Sequence, residues 1–264
     1  MGQQMTSGTM SLRGVAKYYR NPNGERMAAL SPLDLDIAAS EFVCLVGPSG
    51  CGKTTLINLL AGFDQPSCGS ITIDGKPVTK PDSERIMIFQ DYGLYPWKSA
   101  LGNVMFALEA KGVAKSEAKA TALHHLEIVG LKDSAERYPH QLSGGMKQRV
   151  AIARALAASP QVLFMDEPFA ALDAFTRLRL QDELLRIWQE QQPTVVFVTH
   201  DLDEAIYLGS KVILMAPYPG RLRKIVDIQL PRPCDRTDSV FAAYRRELFR
   251  EFQLVHEEAM DYAI

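Results

Sequence analysis

The chain has 264 residues, 47% hydrophobic and 23% charged, an ordinary globular composition long enough for one large domain or two small ones. A net charge of −2 offers no basic surface for nucleic acid. Apolar runs such as 162–165 and 195–198 fall far short of the roughly 20 residues that span a bilayer, and the opening MGQQMTSGTM is polar and uncharged, unlike a secretory leader. These features place the chain in the cytoplasm, with any membrane attachment left to a partner.

Residues 1–10 read as disordered. From residue 12 to about 37 the pattern is of strands and turns, with Asn21-Pro22-Asn23-Gly24 as a hairpin-type turn. Residues 42–46 (FVCLV) form a buried strand, and a helix starts at Lys53. Residues 70–74 are a strand followed by a turn at Gly75, and 85–89 a strand ending at Gln90. Residues 100–157 change character. They are rich in Ala, Leu, Glu and Lys at helical spacing, with Leu123, Leu126 and Val129 on one face, and read as a helical insertion. After Pro160 strands return at 162–165 and 194–199, flanking a helix at 176–191, with a further strand at 211–215. Strands alternating with helices imply an α/β fold with a largely parallel sheet covered on both faces. The stretch LPRP at 230–233 punctuates the chain. Beyond it Phe241, Tyr244, Leu248, Phe252 and Val255 mark an amphipathic helix, which either packs on the domain surface or meets a partner. Cys44, Cys51, Cys68 and Cys234 form no CxxC pair, so neither a zinc site nor a redox motif is indicated.

The chemistry begins at Gly47-Pro48-Ser49-Gly50-Cys51-Gly52-Lys53-Thr54, which matches G-x-x-x-x-G-K-[ST]. Glycines let successive backbone amides converge on phosphate oxygens, and the following helix adds the positive end of its dipole. Lys53 can reach the β- and γ-phosphates, and the Thr54 hydroxyl suits Mg²⁺. Cys51 is a small space-filler in this loop, a target for thiol reagents at most.

Two more apolar strands end in reactive groups. VLFM ends in Asp166-Glu167, and VVFVT ends in His200. In an open parallel sheet, ligands bind beyond the carboxyl ends of the strands. Asp166 can hold Mg²⁺ while Glu167 orients or deprotonates a water; a solvated acidic loop is the other reading. His200 can hydrogen-bond the γ-phosphate or cap the helix that begins near Asp201. Gln90 can touch Mg²⁺ or water, or be an ordinary loop residue. A second glycine turn, Ser143-Gly144-Gly145, opens the helix in LSGGMKQRVAIARAL, where again a helix N-terminus suits phosphate.

The phosphate loop, Gln90, LSGGM, VLFMDEP, ALD and His200 occur in the order that resembles the ATPase subunits of ABC transporters, over about residues 11–225. The resemblance implies a P-loop NTPase (RecA-like) core with a mainly parallel sheet, an N-terminal antiparallel β portion and an inserted α-helical subdomain. The ATPase domain would span 11–230, the helical insert about 91–157, and a tail 231–264. It implies ATP and Mg²⁺, and two subunits packed head to tail. Ser143, Gly144 and Gly145 of one subunit would then close on the γ-phosphate held by the other. Tyr19 looks like the aromatic that stacks on adenine, with Tyr18 the alternative. Thr55 would touch phosphate beside Thr54, and Asp173 would lie in the dimer-contact loop. Met146 stands where many members have Gln, and Ala170 where many have Ser or Gly; neither replaces a reacting group.

Within the family, Leu94-Tyr95-Pro96-Trp97 with LSGGM and LPRP looks like importers of the nitrate, sulfonate, taurine and bicarbonate group. That branch implies separate transmembrane permease subunits, whose short helix the helical insert cradles. Trp97 and its neighbours would be contacts to that helix, or core packing of the insert. It further implies a second ATPase subunit, identical or a close paralogue, a periplasmic solute-binding protein acting indirectly, and no nucleic acid. The location implied is the cytoplasmic face of a bacterial inner membrane. An exporter or lipid-trafficking ATPase is the alternative; a non-transport relative would carry long coiled coils or paired cassettes.

Overall fold

The computed structural model describes residues 7–21, 23–89 and 91–261. In chain order the elements are β1 (Met10–Arg20), β2 (Arg26–Ile37), β3 (Phe42–Val46), α1 (Lys53–Ala61), β4 (Cys68–Ile73), β5 (Lys76–Pro77), β6 (Arg85–Ile88), α2 (Ala100–Ala110) and α3 (Lys115–Ile128). They continue with α4 (Gly144–Ala157), β7 (Val162–Asp166), α5 (Ala174–Gln191), β8 (Thr194–Val198), α6 (Leu202–Leu208), β9 (Lys211–Ala216), β10 (Arg221–Asp227) and α7 (Ser239–Asp261). They gather into two compact units, Met1–Asp82 with Gln192–Ile264, and Ser83–Gln191.

The first unit contains a four-stranded antiparallel sheet in the order β2-β1-β4-β5. Its β1–β2 hairpin closes where the Gly24 amide donates to the Asn21 carbonyl at 2.9 Å. Here the expectation of disorder through residue 10 is corrected. Met10 is fully buried and pairs with both Ile37 and Ile73. The amides of Gly8 and Thr9 donate to the Asp74 carboxylate at 2.9 and 3.0 Å. The polar composition suggested a loose end, but a carboxylate in a distant turn fastens it; residues 1–6 lie outside the described residues.

The same unit carries β3 between β8 and β9, all parallel, with β10 antiparallel along the far edge of β9. Every residue of β3 and β8 is buried, as expected of parallel strands covered on both faces, and Phe42 and Phe197 meet with ring centroids 5.9 Å apart. The edge strand β10 has no signature in the sequence: RLRKIVD is mostly polar and half-exposed, as an edge strand can be. The tail helix α7 packs on this unit. Phe241, Leu248 and Val255 are fully buried, each burial contributing about 1.5–3 kcal/mol. Polar bonds flank that stripe: Arg245 Nη2 donates to Asp203 at 2.7 Å, and Lys224 meets Glu247 at 2.9 Å.

In the second unit β6 pairs in parallel with β7, and α2, α3 and α4 pack on one another. The continuous helical character expected over 100–157 resolves into these three helices, with Gly112 and Gly130 at positive φ in the turns after α2 and α3. The buried stripe of α3 is Ala118, Ala122 and Leu126, whereas Leu123 is only half-buried. Alanines at i and i+4 let the neighbouring helices approach. The compact unit is also larger than the expected insert, because it takes in β6, β7 and α5.

Candidate functional site

The carboxyl end of β3 delivers residues 47–52, and α1 begins at once after them. Gly52 stands at the head of α1 with φ 89° and no side-chain cap, which leaves the amides of the first turn for a ligand. Two of the glycines are fixed by space. A Cβ on Gly47 would lie 2.6 Å from both Cys51 Sγ and the Met215 carbonyl, and one on Gly52 would lie 2.6 Å from Leu30 Cδ2. Lys53 is buried, and its ammonium donates to the carbonyls of Gly47 at 2.7 Å and Pro48 at 2.9 Å. The loop thus wraps around a positive charge, with Ser49, Gly50 and Thr54 exposed and Thr55 half-buried. This is a cradle that a phosphate chain fits: amides, an uncapped helix and one ammonium converge on it.

Cys51 is fully buried, and burial pushes its thiol up from its ordinary value. It fills space, as its small side chain in a tight loop suggested. The predicted labelling order follows. Maleimide on the native protein should modify the exposed Cys68 and spare Cys44 and Cys51, and denaturation should open all four. Peptide mapping by mass spectrometry reads this directly; native labelling of Cys51 as fast as Cys68 would contradict the packing.

Tyr19, on β1, turns its hydroxyl to Asp64 at 2.9 Å, just past α1, and Lys17 lies 5.0 Å over its ring. Thr55 on α1 also reaches the Tyr19 hydroxyl. Burial and the Asp64 carboxylate raise the Tyr19 pKa. Tyr18 is covered differently, with the Arg26 guanidinium 3.8 Å from its ring centre. Tyr19 thus lies against the start and end of α1, through Thr55 and Asp64, with its ring partly exposed.

His200 follows β8, whose pairing with β3 puts its carboxyl end beside the loop: the Thr199 amide donates to the Leu45 carbonyl at 3.2 Å. Asp201, not His200, caps α6, accepting from the amides of Asp203 at 2.8 Å and Glu204 at 3.2 Å. The capping alternative for His200 is thereby removed, and His200 is exposed at the strand end. Thr199 and Glu204 are buried together, with a 2.6 Å bond that stiffens this end of β8.

In the second unit the parallel pairing Ile88↔Met165 brings the ends of β6 and β7 to one edge. Gln90, expected there, lies outside the described residues. Asp166 is the buried last residue of β7, and Glu167 follows with φ 47°. A left-handed backbone at a non-glycine residue costs about 1–3 kcal/mol and persists only where its surroundings impose it. Two bonds end on the carbonyl of this residue, from the Ala170 amide at 3.2 Å and from Gln148 Nε2 at 3.2 Å. Asp173 opens α5, accepting from the Thr176 amide at 3.0 Å; bonds from Thr176 hold its carboxyl below the ordinary value. Ser143 caps α4 by accepting from Met146 at 3.3 Å, and Ser143 and Gly144 are exposed. At Gly145 a Cβ would come within 3.1 Å of the Ala171 carbonyl.

Three residues of this unit escaped the sequence reading. Gln148 is one. Arg154 on α4 donates to the carbonyls of Gly93 at 2.7 Å and Tyr92 at 3.2 Å. Asn103, fully buried on α2, accepts from the Tyr95 amide at 2.8 Å and donates to the Ser99 carbonyl at 3.0 Å. Arg154 and Asn103 together shape the loop after Gln90. A buried asparagine in the apolar ALGNVMFALEA was a legible signal, since a buried amide needs partners. That loop borders a groove of about 410 Å³ lined by Phe89, Tyr95, Phe106, Ala107, Lys111 and Arg154. Trp97 is 71% exposed, with its ring 5.6 Å from Tyr95, so it is not core packing.

A glycine loop at a parallel strand end, wrapped around a lysine and followed by an uncapped helix, defines a P-loop nucleotide-binding protein. The ABC transporter family profile matches residues 30–170. A nitrate import ATP-binding protein of Synechococcus elongatus is 43% identical over 259 residues, 94% of each chain. An aliphatic sulfonates import ATP-binding protein of Bacillus subtilis is 45% identical over 240 residues, 91% of this chain and 92% of that one. A solved ATP-binding cassette, dimeric in a post-hydrolysis state with ADP and Pi, superposes with TM-score 0.77 at 33% identity, covering 83% of this chain and 99% of that one. The chain belongs to the ATP-binding proteins of the ABC transporter family and is an ATP hydrolase of that type. Among the described residues no helix is long and apolar enough to cross a membrane.

Proposed function

We propose that this chain is the ATPase subunit that powers uptake of a small solute of the nitrate, sulfonate, taurine or bicarbonate type through a separate permease. The observation that carries the reading is the end-to-end likeness to import ATP-binding proteins, 43% identical over 94% of both chains in the nitrate case. The exposed Trp97 beside the groove supports it, since a large aromatic at a surface groove suits a docked helix. The permease helix would dock there, placing the chain at the cytoplasmic face of the membrane, with a solute-binding protein acting from the far side.

In the chemistry we propose, loop amides 47–53 hold the phosphates and Lys53 trades its carbonyl bonds for the β- and γ-phosphate oxygens. Tyr19 stacks on adenine, and Thr55 touches phosphate. Thr54, Asp166 and Gln90 would hold Mg²⁺, which, when bound, neutralises charge on the β- and γ-oxygens. Glu167 orients a water toward the γ-phosphorus and takes its proton as the bond to the ADP oxygen breaks, while His200 donates to the γ-phosphate. Ser143, Gly144 and Gly145 serve the nucleotide held by a second ATPase subunit, and Asp173 lies at that contact. Each subunit then owns two half-sites, so hydrolysis requires closure of the pair.

Affinity purification of the chain from its native membranes, with the co-purifying proteins identified, tests this reading. Recovery of a multi-span permease supports it. Recovery of soluble or nucleic-acid partners without any membrane protein sinks the transport assignment and leaves the ATPase standing.

A further inference from the structure

The second unit holds a connection that the roles above do not use. Gln148 lies on α4, one turn past the exposed Ser143-Gly144 end, and is 2% exposed. Both ends of its amide are committed to the segment after β7. Nε2 donates to the Glu167 carbonyl at 3.2 Å, and Oε1 accepts from the Ala171 amide at 3.1 Å. A backbone carbonyl and a backbone N–H leave only one orientation for the side-chain amide. The two contacts bracket the turn 167–171, at whose start Glu167 adopts φ 47°. The start of α4 also comes close to this turn, since a Cβ on Gly145 would lie only 3.1 Å from the Ala171 carbonyl oxygen.

We infer that Gln148 is a positioning residue: it fixes the left-handed backbone of Glu167 and so ties the aim of that carboxylate to the position of α4. The consequence is directional. The N-terminus of α4 serves the nucleotide of the second subunit, whereas Glu167 serves the nucleotide of its own. A small rotation of α4 on closure therefore passes through one rigid side chain to the carboxylate that activates water, and links the two nucleotide sites within a single chain. The inference rests on the catalytic reading of Glu167 given above.

The test is a double-mutant cycle on the full chain, with steady-state ATPase, ATP binding and thermal melting measured for each variant. Q148M keeps the length and volume of the side chain and removes both hydrogen bonds. In the wild-type background it should lower kcat by about tenfold or more with KM for ATP within about twofold. In the E167Q background, where the carboxylate is already gone, it should lower the residual rate by less than about twofold, because there is no aim left to lose. Equal losses in both backgrounds would show a general structural role and overturn the inference, as would full activity of Q148M in a folded protein. Should Q148M fail to fold, Q148E decides: it keeps the acceptor for Ala171 and loses the donor to Glu167, and must show the same background-dependent loss. Normal turnover by E167Q alone would instead remove Glu167 from catalysis, a result separate from any behaviour of Gln148.

Discussion

Lys53→Ala should weaken ATP binding by about 100-fold and abolish measurable turnover. In the free protein the ammonium is already satisfied, by the carbonyls of Gly47 at 2.7 Å and Pro48 at 2.9 Å. Binding exchanges these neutral acceptors for phosphate oxygens. A charge-assisted bond contributes about 1.5–3 kcal/mol, and two of them correspond to about two or more decades in Kd once the lost carbonyl bonds are offset. The same substitution strips the loop of its central donor, so the apoprotein should lose about 1–3 kcal/mol of stability as well. Lys53→Met separates the two effects, because it refills the buried volume without the charge. Calorimetric titration with ATP should find both variants weak, and melting without nucleotide should find Lys53→Ala the less stable of the two. ATP affinity in either variant close to wild type would mean that the buried lysine serves the loop and not the ligand.

How much of this was legible beforehand depends on the kind of signal. β3 and α1 stand where the sequence placed them, because a five-residue apolar run and a glycine-lysine-threonine turn are local patterns with few alternatives. The strand ends carrying Asp166 and His200 were legible for the same reason. What failed to show is long-range and polar. Gly8 and Thr9 are ordered by Asp74, more than sixty residues away, and no window of composition contains that bond. β10 is an edge strand whose charged residues obey the antiparallel ladder of β9 and not a hydrophobic period. Gln148 and Arg154 read as ordinary helix residues until their partners are known, since a side-chain amide or guanidinium leaves no periodic trace; only Asn103, set in the apolar ALGNVMFALEA, offered a signal. The choice between Asp201 and His200 as the cap of α6 was likewise a matter of geometry: adjacent residues, either capable, and only one with its oxygen on the free amides. For Tyr19 against Tyr18, strand alternation sends neighbouring rings to different surroundings, and the Asp64 bond shows which of them lies beside α1.

Glu167→Gln should bind ATP about as well as the wild type and hydrolyse it about 100- to 10,000-fold more slowly, the range a positioned general base commands. The substitution keeps the shape of the side chain. It leaves the Glu167 backbone at φ 47° and the bonds from Ala170 and Gln148 untouched, since both end on the main-chain carbonyl. The loss then reports on the side-chain carboxyl and not on the turn. If, as proposed, ATP closes a head-to-tail pair and hydrolysis reopens it, this variant should also linger as a dimer in ATP during size-exclusion chromatography, while the wild type returns to monomer as ATP is spent. Glu167→Gly makes the complementary point. Glycine accepts the left-handed conformation without a Cβ penalty, so that protein should melt at or above the wild type, by up to about 1 kcal/mol, while being equally inactive. Stability and activity moving in opposite directions at one residue is the mark of strain kept for function. Wild-type turnover in either variant would exclude Glu167 as the base, and a fall in stability for Glu167→Gly would mean that the left-handed turn is held by the carboxylate and not imposed on it.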